Sequence, residues 1–400
     1  VSLVFSNRVR TDASPCGHSE STFAFLDRVA GPYWEQVREL IEKWVAHLPV
    51  ECCADVIGRL RSPDYAQHAS AYWELHLHET SRSSGFDVVV HPQVTGSPRQ
   101  PDFLVSRGDD SFYVEATCLV SKATDPGASA RKRQVYDALD SISCPNFFLQ
   151  IDVNRVGPAD LPTKPLRRRL EAWVRTLDPD PIVVDDHYLD FGESFEWSHA
   201  GWELRFRPFP VSAGARGRPG HRPLGIFGPV EAAWINDDQT LRGALQDKGS
   251  AYGELDRPLV IAVNSFALSH DDYDTMNALY GTEQITISLT DRNAPPVPSR
   301  KPDGYWLAGT WAHQHVAGIL IGRSIAEYRP TATPTFWVHP EPVEAVQPLP
   351  VWRAAEPVDD HIEYREPPRP FTSCSGCPRS GRPASRSRRR CWHELRKPTQ

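Results

Sequence analysis

Methionine is almost missing from this sequence, with one residue in 400, and no unbroken apolar run reaches about 18 residues. A run of roughly that length is what a membrane-crossing helix requires, so no membrane span is expected. Cysteine is sparse as well: eight in 400 residues is far below the density of disulfide-built secreted scaffolds. No early segment combines a charged start, an apolar stretch and a small-residue cleavage site, and the expected setting is the cytoplasm with reduced thiols. An excess of positive charge is absent too. A formal charge of −7 and a pI near 6.1 exclude a protein that coats nucleic acid over its whole surface, but not one that grips it locally. There is no G-x-S-x-G, no phosphate-binding G-x-x-x-x-G-K-[ST] and no dinucleotide glycine fingerprint between a strand and a helix. Gly214, Gly217 and Gly220 lie in a basic loop without those flanks.

What is present is enough apolar material, 40% of residues, for one large domain or two. Tyr33, Trp34, Val37, Leu40, Ile41, Trp44, Val45 and Leu48 recur at three- and four-residue steps and predict a helix from Gly31 to Leu48. Further helices are predicted over about Cys52 to Leu60 and Ala66 to Ser83, the last stopping at Gly85. The period then changes. Phe86 to His91, Asp102 to Ser106 and Ser111 to Leu119 read as three strands, with a turn at Arg107-Gly108-Asp109-Asp110. A helix from Ala128 to Ile142 and a strand from Asn146 to Val153 follow, giving an α/β order. Beyond lie a basic helix (Lys164 to Leu177), a strand (Phe195 to Phe209), a helix (Asp238 to Leu255) and a buried-type strand (Pro258 to Asn264). The 37 prolines concentrate late, and from about Ala354 the Pro-, Ser- and Arg-rich chain is expected to be disordered.

Three carboxylates stand out: Glu74 on the third helix, Asp102 opening the second strand and Glu115 inside the third. Strand alternation puts Tyr113, Glu115 and Thr117 on one face and Phe112, Val114 and Ala116 on the other. A carboxylate inside so apolar a strand is costly unless it is paired or binds a metal. Asp102 and Glu115, on consecutive strands joined by a tight turn, can meet side by side. Oxygen donors of this kind are what Mg²⁺ takes.

The string Pro101-Asp102, a dozen residues, then Glu115-Ala116-Thr117 resembles the PD-(D/E)XK, restriction-endonuclease-like nuclease superfamily. The pattern Ala71-Tyr72-Trp73-Glu74 followed by Gly85-Phe86 and Pro101-Asp102-Phe103-Leu104-Val105 resembles the helix and first strands of its core. The resemblance spans residues 66–155 and implies an α/β fold: helix, three-stranded meander, helix and strand, in a central mixed sheet flanked by helices. It implies Mg²⁺ (or Mn²⁺) held by Asp102 and Glu115 with Glu74 assisting, hydrolysis of DNA, and a role in defence or repair. The family pattern places lysine two residues after the glutamate. Here that position is Thr117, which can hold a water but supplies no charge. Either a cation from elsewhere fills the gap, with Lys122, Lys132 and Lys248 as candidates, or the enzyme is weakened or dead. Lys248 and Tyr252 are four apart, as are a Gln and a Tyr in a related branch, so helix 238–255 with strand 258–264 can complete the sheet in place of 128–153. The predicted division is then an N-terminal helical segment (1–65), a nuclease core (66–265) with an insertion at 155–237, an α+β region (266–353) and a basic tail (354–400). The rival reading is a catalytically degenerate module of the same fold that binds nucleic acid or a protein without cutting. No oligomeric state is read from the sequence, a homodimer being one option.

Other groups carry weaker signals. His76 and His78, two apart on a helix, point in different directions and read as structural. Cys374, Cys377, Cys391 and His393 have a zinc-knuckle-like spacing, with few apolar residues around them to close a module. Arg167, Arg168 and Arg169, and the tail run Arg386, Arg388, Arg389 and Arg390, are candidate phosphate contacts.

Overall fold

The computed structural model describes residues 3–120, 125–180, 193–218, 222–228, 237–267, 270–287, 290, 293, 295–358 and 361–369. Lys122, the four tail Cys and His positions and the tail arginines lie outside them. The chain opens with helices α1 (Thr22–Arg28), α2 (Pro32–Val45), α3 (Val50–Leu60) and α4 (Tyr65–Ser83). Strands β1 (Asp87–Val90), β2 (Phe103–Arg107) and β3 (Asp110–Leu119) follow. Next come α5 (Pro126–Leu139), β4 (Phe147–Arg155), α6 (Thr163–Val174), β5 (Phe195–His199), β6 (Trp202–Pro210) and β7 (Leu224–Gly228). The last stretch holds α7 (Asp237–Gly249), β8 (Leu259–Ser265), α8 (Asp272–Tyr280), β9 (Glu283–Thr286) and β10 (Val297–Arg300). It ends with β11 (Val316–Arg323), β12 (Thr335–Val338), β13 (Arg353–Val358) and β14 (His361–Arg365).

These elements divide into two compact units. One draws on Val1–Ser14, Thr22–Val120 and Asn236–Gln400, the other on Pro15–Ser21 and Ser121–Ile235. In the first, the described strands form a mixed sheet in the order β1-β2-β3-β8-β11-β12-β13-β14. β1, β2 and β3 make an antiparallel meander, β8 runs parallel beside β3, and β11 runs parallel beside β8. Every residue of β8 (LVIAVNS) is buried, the composition expected of a strand covered on both faces. On one face Leu241 and Leu245 of α7 and Ala278 and Leu279 of α8 pack with Tyr113, Ile261, Val263, Ile319 and Trp337. Each such leucine contributes about 2 kcal/mol by leaving water. On the other face α4 lies along the sheet, and its Trp73 donates Nε1–H to the Ala262 carbonyl at 3.1 Å. Gly322 makes room there, since a Cβ would sit 3.2 Å from the Trp73 ring. α4 starts where Asp64 accepts the Ala66 N–H at 2.9 Å, an N-cap that satisfies one orphan donor.

The result is an α/β architecture with a central mixed sheet flanked by helices. Three expectations about the division of the chain need correction. Of the two helix–strand pairs that can follow the meander, α7 with β8 joins β3, while α5 and β4 belong to the second unit, so the insertion begins at Ser121 and not at 155. Residues 266–353 are no separate region, because β11 and β12 extend the same sheet. Finally, the chain past Ala354 is not disordered at once: β13 and β14 pair as a hairpin-like edge.

In the second unit the described strands order as β5-β6-β4-β7. Val135 and Leu139 of α5 and Leu166, Leu170 and Val174 of α6 cover one face, against Phe147, Leu149 and Ile151. The single strand predicted from Phe195 to Phe209 is two strands. Ala200 (φ 48°) and Gly201 (φ 83°) form a two-residue turn that needs positive φ at both positions.

Candidate active site

β2 and β3 pair with Phe103 opposite Val114, so continuing the register by one residue puts Asp102 opposite Glu115. Asp102 precedes the ladder, and its Oδ2 accepts the Ala116 N–H at 2.7 Å. Its carbonyl accepts the His91 N–H at 2.9 Å. Glu115 lies on the face of β3 that looks toward α7 and is 5% exposed. Two groups compensate it there. Lys248 Nζ, from the last turn of α7, is 2.5 Å from Glu115 Oε1, and the Tyr252 hydroxyl donates to Glu115 Oε2. The candidate lysine thus arrives at the glutamate from another element, while Thr117 occupies the family's lysine position two residues along the same face, half-buried.

The helix expected from Asp238 to Leu255, with Lys248 and Tyr252 four apart on it, is shorter. α7 stops at Gly249, and Tyr252 reaches Glu115 from the turn beyond it. The glycine at its last position has a packing cause. A Cβ on residue 249 would lie 2.0 Å from the Tyr305 hydroxyl, and His315 donates Nε2–H to the Gly249 carbonyl at 2.9 Å. Tyr305 and His315 flank a segment in which Leu307 (φ 49°), Gly309 (φ 92°), Trp311 (φ 48°) and His313 (φ 60°) all take left-handed conformations. Such strain persists only where surroundings over-determine it. Here the His313 ring stacks on Tyr305 with centroids 4.2 Å apart, and Trp306 is fully buried. This segment fixes the end of α7 and hence the root of Lys248. Nothing in the sequence period announces it.

Glu74 is held differently. Arg59 of α3 grips it with two bonds, Nη1 to Oε1 at 2.7 Å and Nη2 to Oε2 at 2.6 Å, while Arg59 Nε also reaches Asp55 at 2.9 Å. Arg59 went unnoticed in the sequence, where its only sign is a charge on the helix preceding α4. Lys132 lies on α5 of the second unit. His76 and His78 are both buried on α4. Desolvation holds His76 down to about 3 and His78 down to about 4, as fits neutral packing groups.

The electrostatics of the pair are one-sided. Burial first, then the charges of Glu115 and Glu74, push the Asp102 carboxyl from 3.8 up to about 7, against the pull of the Ala116 N–H and of Lys248. Burial and its bond to Glu115 push the Tyr252 phenol upward, so it remains a donor. Among the described residues, no three His, Cys, Asp or Glu side chains are grouped closely enough to hold a metal ion. What the site offers is a pair of opposed carboxylates with an ammonium and a phenol beside one of them. Among the same residues no helix is long and apolar enough to cross a membrane. No family model matches the chain, and neither a curated protein nor a solved structure matches it.

Proposed function

We propose that this chain is a Mg²⁺-dependent nuclease with a restriction-endonuclease-like core, hydrolysing phosphodiester bonds of DNA. Lys248 supports this most directly: its ammonium meets the Glu115 carboxylate at 2.5 Å, supplying the charge that Thr117 lacks. The order α4, β1-β2-β3, α7, β8, with β8 parallel to β3, agrees with that core. The donor set also fits the ion. Two opposed carboxylates are hard oxygen ligands of the kind Mg²⁺ or Mn²⁺ takes with water filling the rest, and a bound cation would relieve the charge crowding that raises the Asp102 carboxyl. Asp102 and Glu115 would hold it, with Glu74 joining on release from Arg59. When bound, the ion polarises the scissile phosphate and acidifies a water.

The chain's own groups do the remainder. Lys248 neutralises negative charge developing on the phosphate and orients the attacking water. Thr117 offers that water a hydroxyl partner on the same strand face. Tyr252 fixes the Glu115 carboxylate, so that its orientation is set before substrate arrives. The test is cleavage of plasmid and single-stranded DNA with Mg²⁺ or Mn²⁺, wild type beside Asp102→Ala, Glu115→Ala and Lys248→Met. Wild type is expected to cut, and each variant to lose roughly a hundredfold or more. A wild type that neither cuts nor takes up either metal by calorimetry rules the proposal out.

One observation favours the degenerate module instead. Both Glu115 oxygens already have partners, in Lys248 and Tyr252, so the carboxylate is satisfied without metal. On that account Glu115→Gln leaves DNA affinity unchanged and no divalent ion binds.

A further inference from the structure

We propose that the second unit carries a phosphate-binding cleft, formed by Arg168 and Arg169 of α6 with Trp197, Ser198 and His199 of β5, that holds a phosphate of the nucleic-acid strand being processed. For the identity of the ligand it rests on the nuclease reading. For the chemistry it rests on the cleft.

α6 buries Leu166, Leu170 and Val174 against the sheet, which leaves Arg168 and Arg169 exposed on its flank. They border a cleft of about 320 Å³ shared with the end of β5. The Arg169 guanidinium lies over the Trp197 ring, 5.4 Å from its centroid, which orients a side chain that would otherwise sample many rotamers. Other arginines of this unit are neutralised: Arg205 by Glu196 at 2.9 Å, Arg207 by Asp152 at 2.9 Å, Arg155 by Glu203 at 2.6 Å. Arg168 and Arg169 meet no carboxylate among the described residues. Glu196 is the one acidic side chain lining the cleft, and Arg205 already occupies it. The net field of the cleft is therefore positive in a chain whose formal charge is −7.

Two donors complete the chemistry. Ser198, through its hydroxyl, and His199, through its imidazole, line the same space. Two guanidiniums in fork geometry, a hydroxyl and an imidazole suit a tetrahedral oxyanion. The volume admits a phosphate with its sugar.

The test is binding of a labelled single-stranded oligonucleotide and its duplex in EDTA, across a salt series, so that no cleavage intervenes. Removing the phosphate contact with Arg168→Glu/Arg169→Glu is expected to lower affinity at least tenfold near 100 mM salt and to reduce the log–log salt slope by about 0.7 for the single strand and about 0.9 for the duplex. Arg168→Lys/Arg169→Lys keeps the charge and is expected to retain most of the slope. Both positions are exposed, so circular dichroism and thermal unfolding should match wild type. A folded Glu variant with unchanged oligonucleotide affinity and slope, and with unchanged binding of inorganic phosphate, overturns the cleft, while a wild type that fails to bind either oligonucleotide overturns the strand assignment. If calorimetry with inorganic phosphate shows binding lost in the variant while oligonucleotide binding persists, the cleft serves free phosphate and the strand assignment falls. Cleavage with Mg²⁺ is scored apart. A protein that binds through the cleft but never cuts removes the nuclease reading and leaves the cleft standing.

Discussion

Asp102 offers a test in which function and stability move in opposite directions. Its carboxyl is pushed from 3.8 to about 7 by burial and by the Glu115 and Glu74 charges, so the folded chain holds a proton that the unfolded chain releases. Below pH 4 both states are protonated and nothing is lost. Between about 4 and 7 stability falls as pH rises, and above 7 the full penalty stands. The rise corresponds to roughly 4 kcal/mol of preference for the neutral form, an upper bound because Asp102 keeps some contact with water. Asp102→Asn removes the charge and can still accept the Ala116 N–H, but its new amide needs a partner, which takes back about 1 kcal/mol. The expected outcome is a gain of about 1–3 kcal/mol at pH 8, with little change at pH 4, measured by urea unfolding in EDTA. Millimolar Mg²⁺ should then stabilise wild type by mass action and leave the variant unmoved. A variant destabilised equally at both pH values would refute the account of Asp102 as a strained, charge-crowded carboxylate.

Three other outcomes follow from the same structure. Gly249→Ala sets a Cβ 2.0 Å from the Tyr305 hydroxyl and is expected to destabilise by about 1–3 kcal/mol; adding Tyr305→Phe should restore part of it in thermal melts. Lys248→Met leaves Glu115 with Tyr252 alone and should cost about 1–3 kcal/mol, discounted because Lys248 is partly exposed, while the double variant with Glu115→Gln should recover most of it in a mutant cycle. The buried pair His68 and Glu327 bridges α4 to the chain after β11. Burial presses the His68 pKa down, but the Glu327 charge and bond and the Leu60 carbonyl outweigh it, for a net rise above 6.5. Its stabilisation is full below pH 6.5 and lost as pH rises through the folded value, so Glu327→Gln should flatten the wild-type decline in unfolding free energy over that alkaline limb.

Much of the scaffold was legible because one signal governed it. The helices around α2, α3 and α4 follow from apolar spacing, and β3 from alternation that sets Phe112, Val114 and Ala116 against Tyr113, Glu115 and Thr117. The Lys248–Glu115 meeting was legible as one candidate among three, since nothing local says which lysine a parallel strand will bring near. The end of α7 was not, because Leu241, Leu245 and Tyr252 keep a helix-like spacing through Gly249, and the groups that meet the helix end there, Tyr305 and His315, lie more than fifty residues away in sequence. The hairpin of β5 and β6 was missed because its turn is Ala200-Gly201, and alanine does not announce positive φ as asparagine does. β13 and β14 were hidden by prolines and charge that suit a sheet edge as well as a tail. Arg59 was invisible because a bidentate partner for Glu74 is chosen by helix packing, not by spacing.

The insertion between β3 and α7 also sets a timetable. Asp102 and Glu115 leave the ribosome on one hairpin, while Lys248 and Tyr252 come after the whole of the second unit. Until then the two carboxylates crowd each other without the ammonium that offsets them, and β3 lacks the parallel neighbour that buries it. Closing a flexible connection costs only about 0.6 kcal/mol more per doubling of its length, but non-local pairing is slow to form. A second unit that folds first shortens the effective loop and delivers α7 to its place. In refolding, therefore, the near-ultraviolet signal of the second unit's tryptophans should settle before the proposed metal uptake or cutting appears, and the pairing of Glu115 with Lys248 and Tyr252 should be among the last features of the molecule to exist.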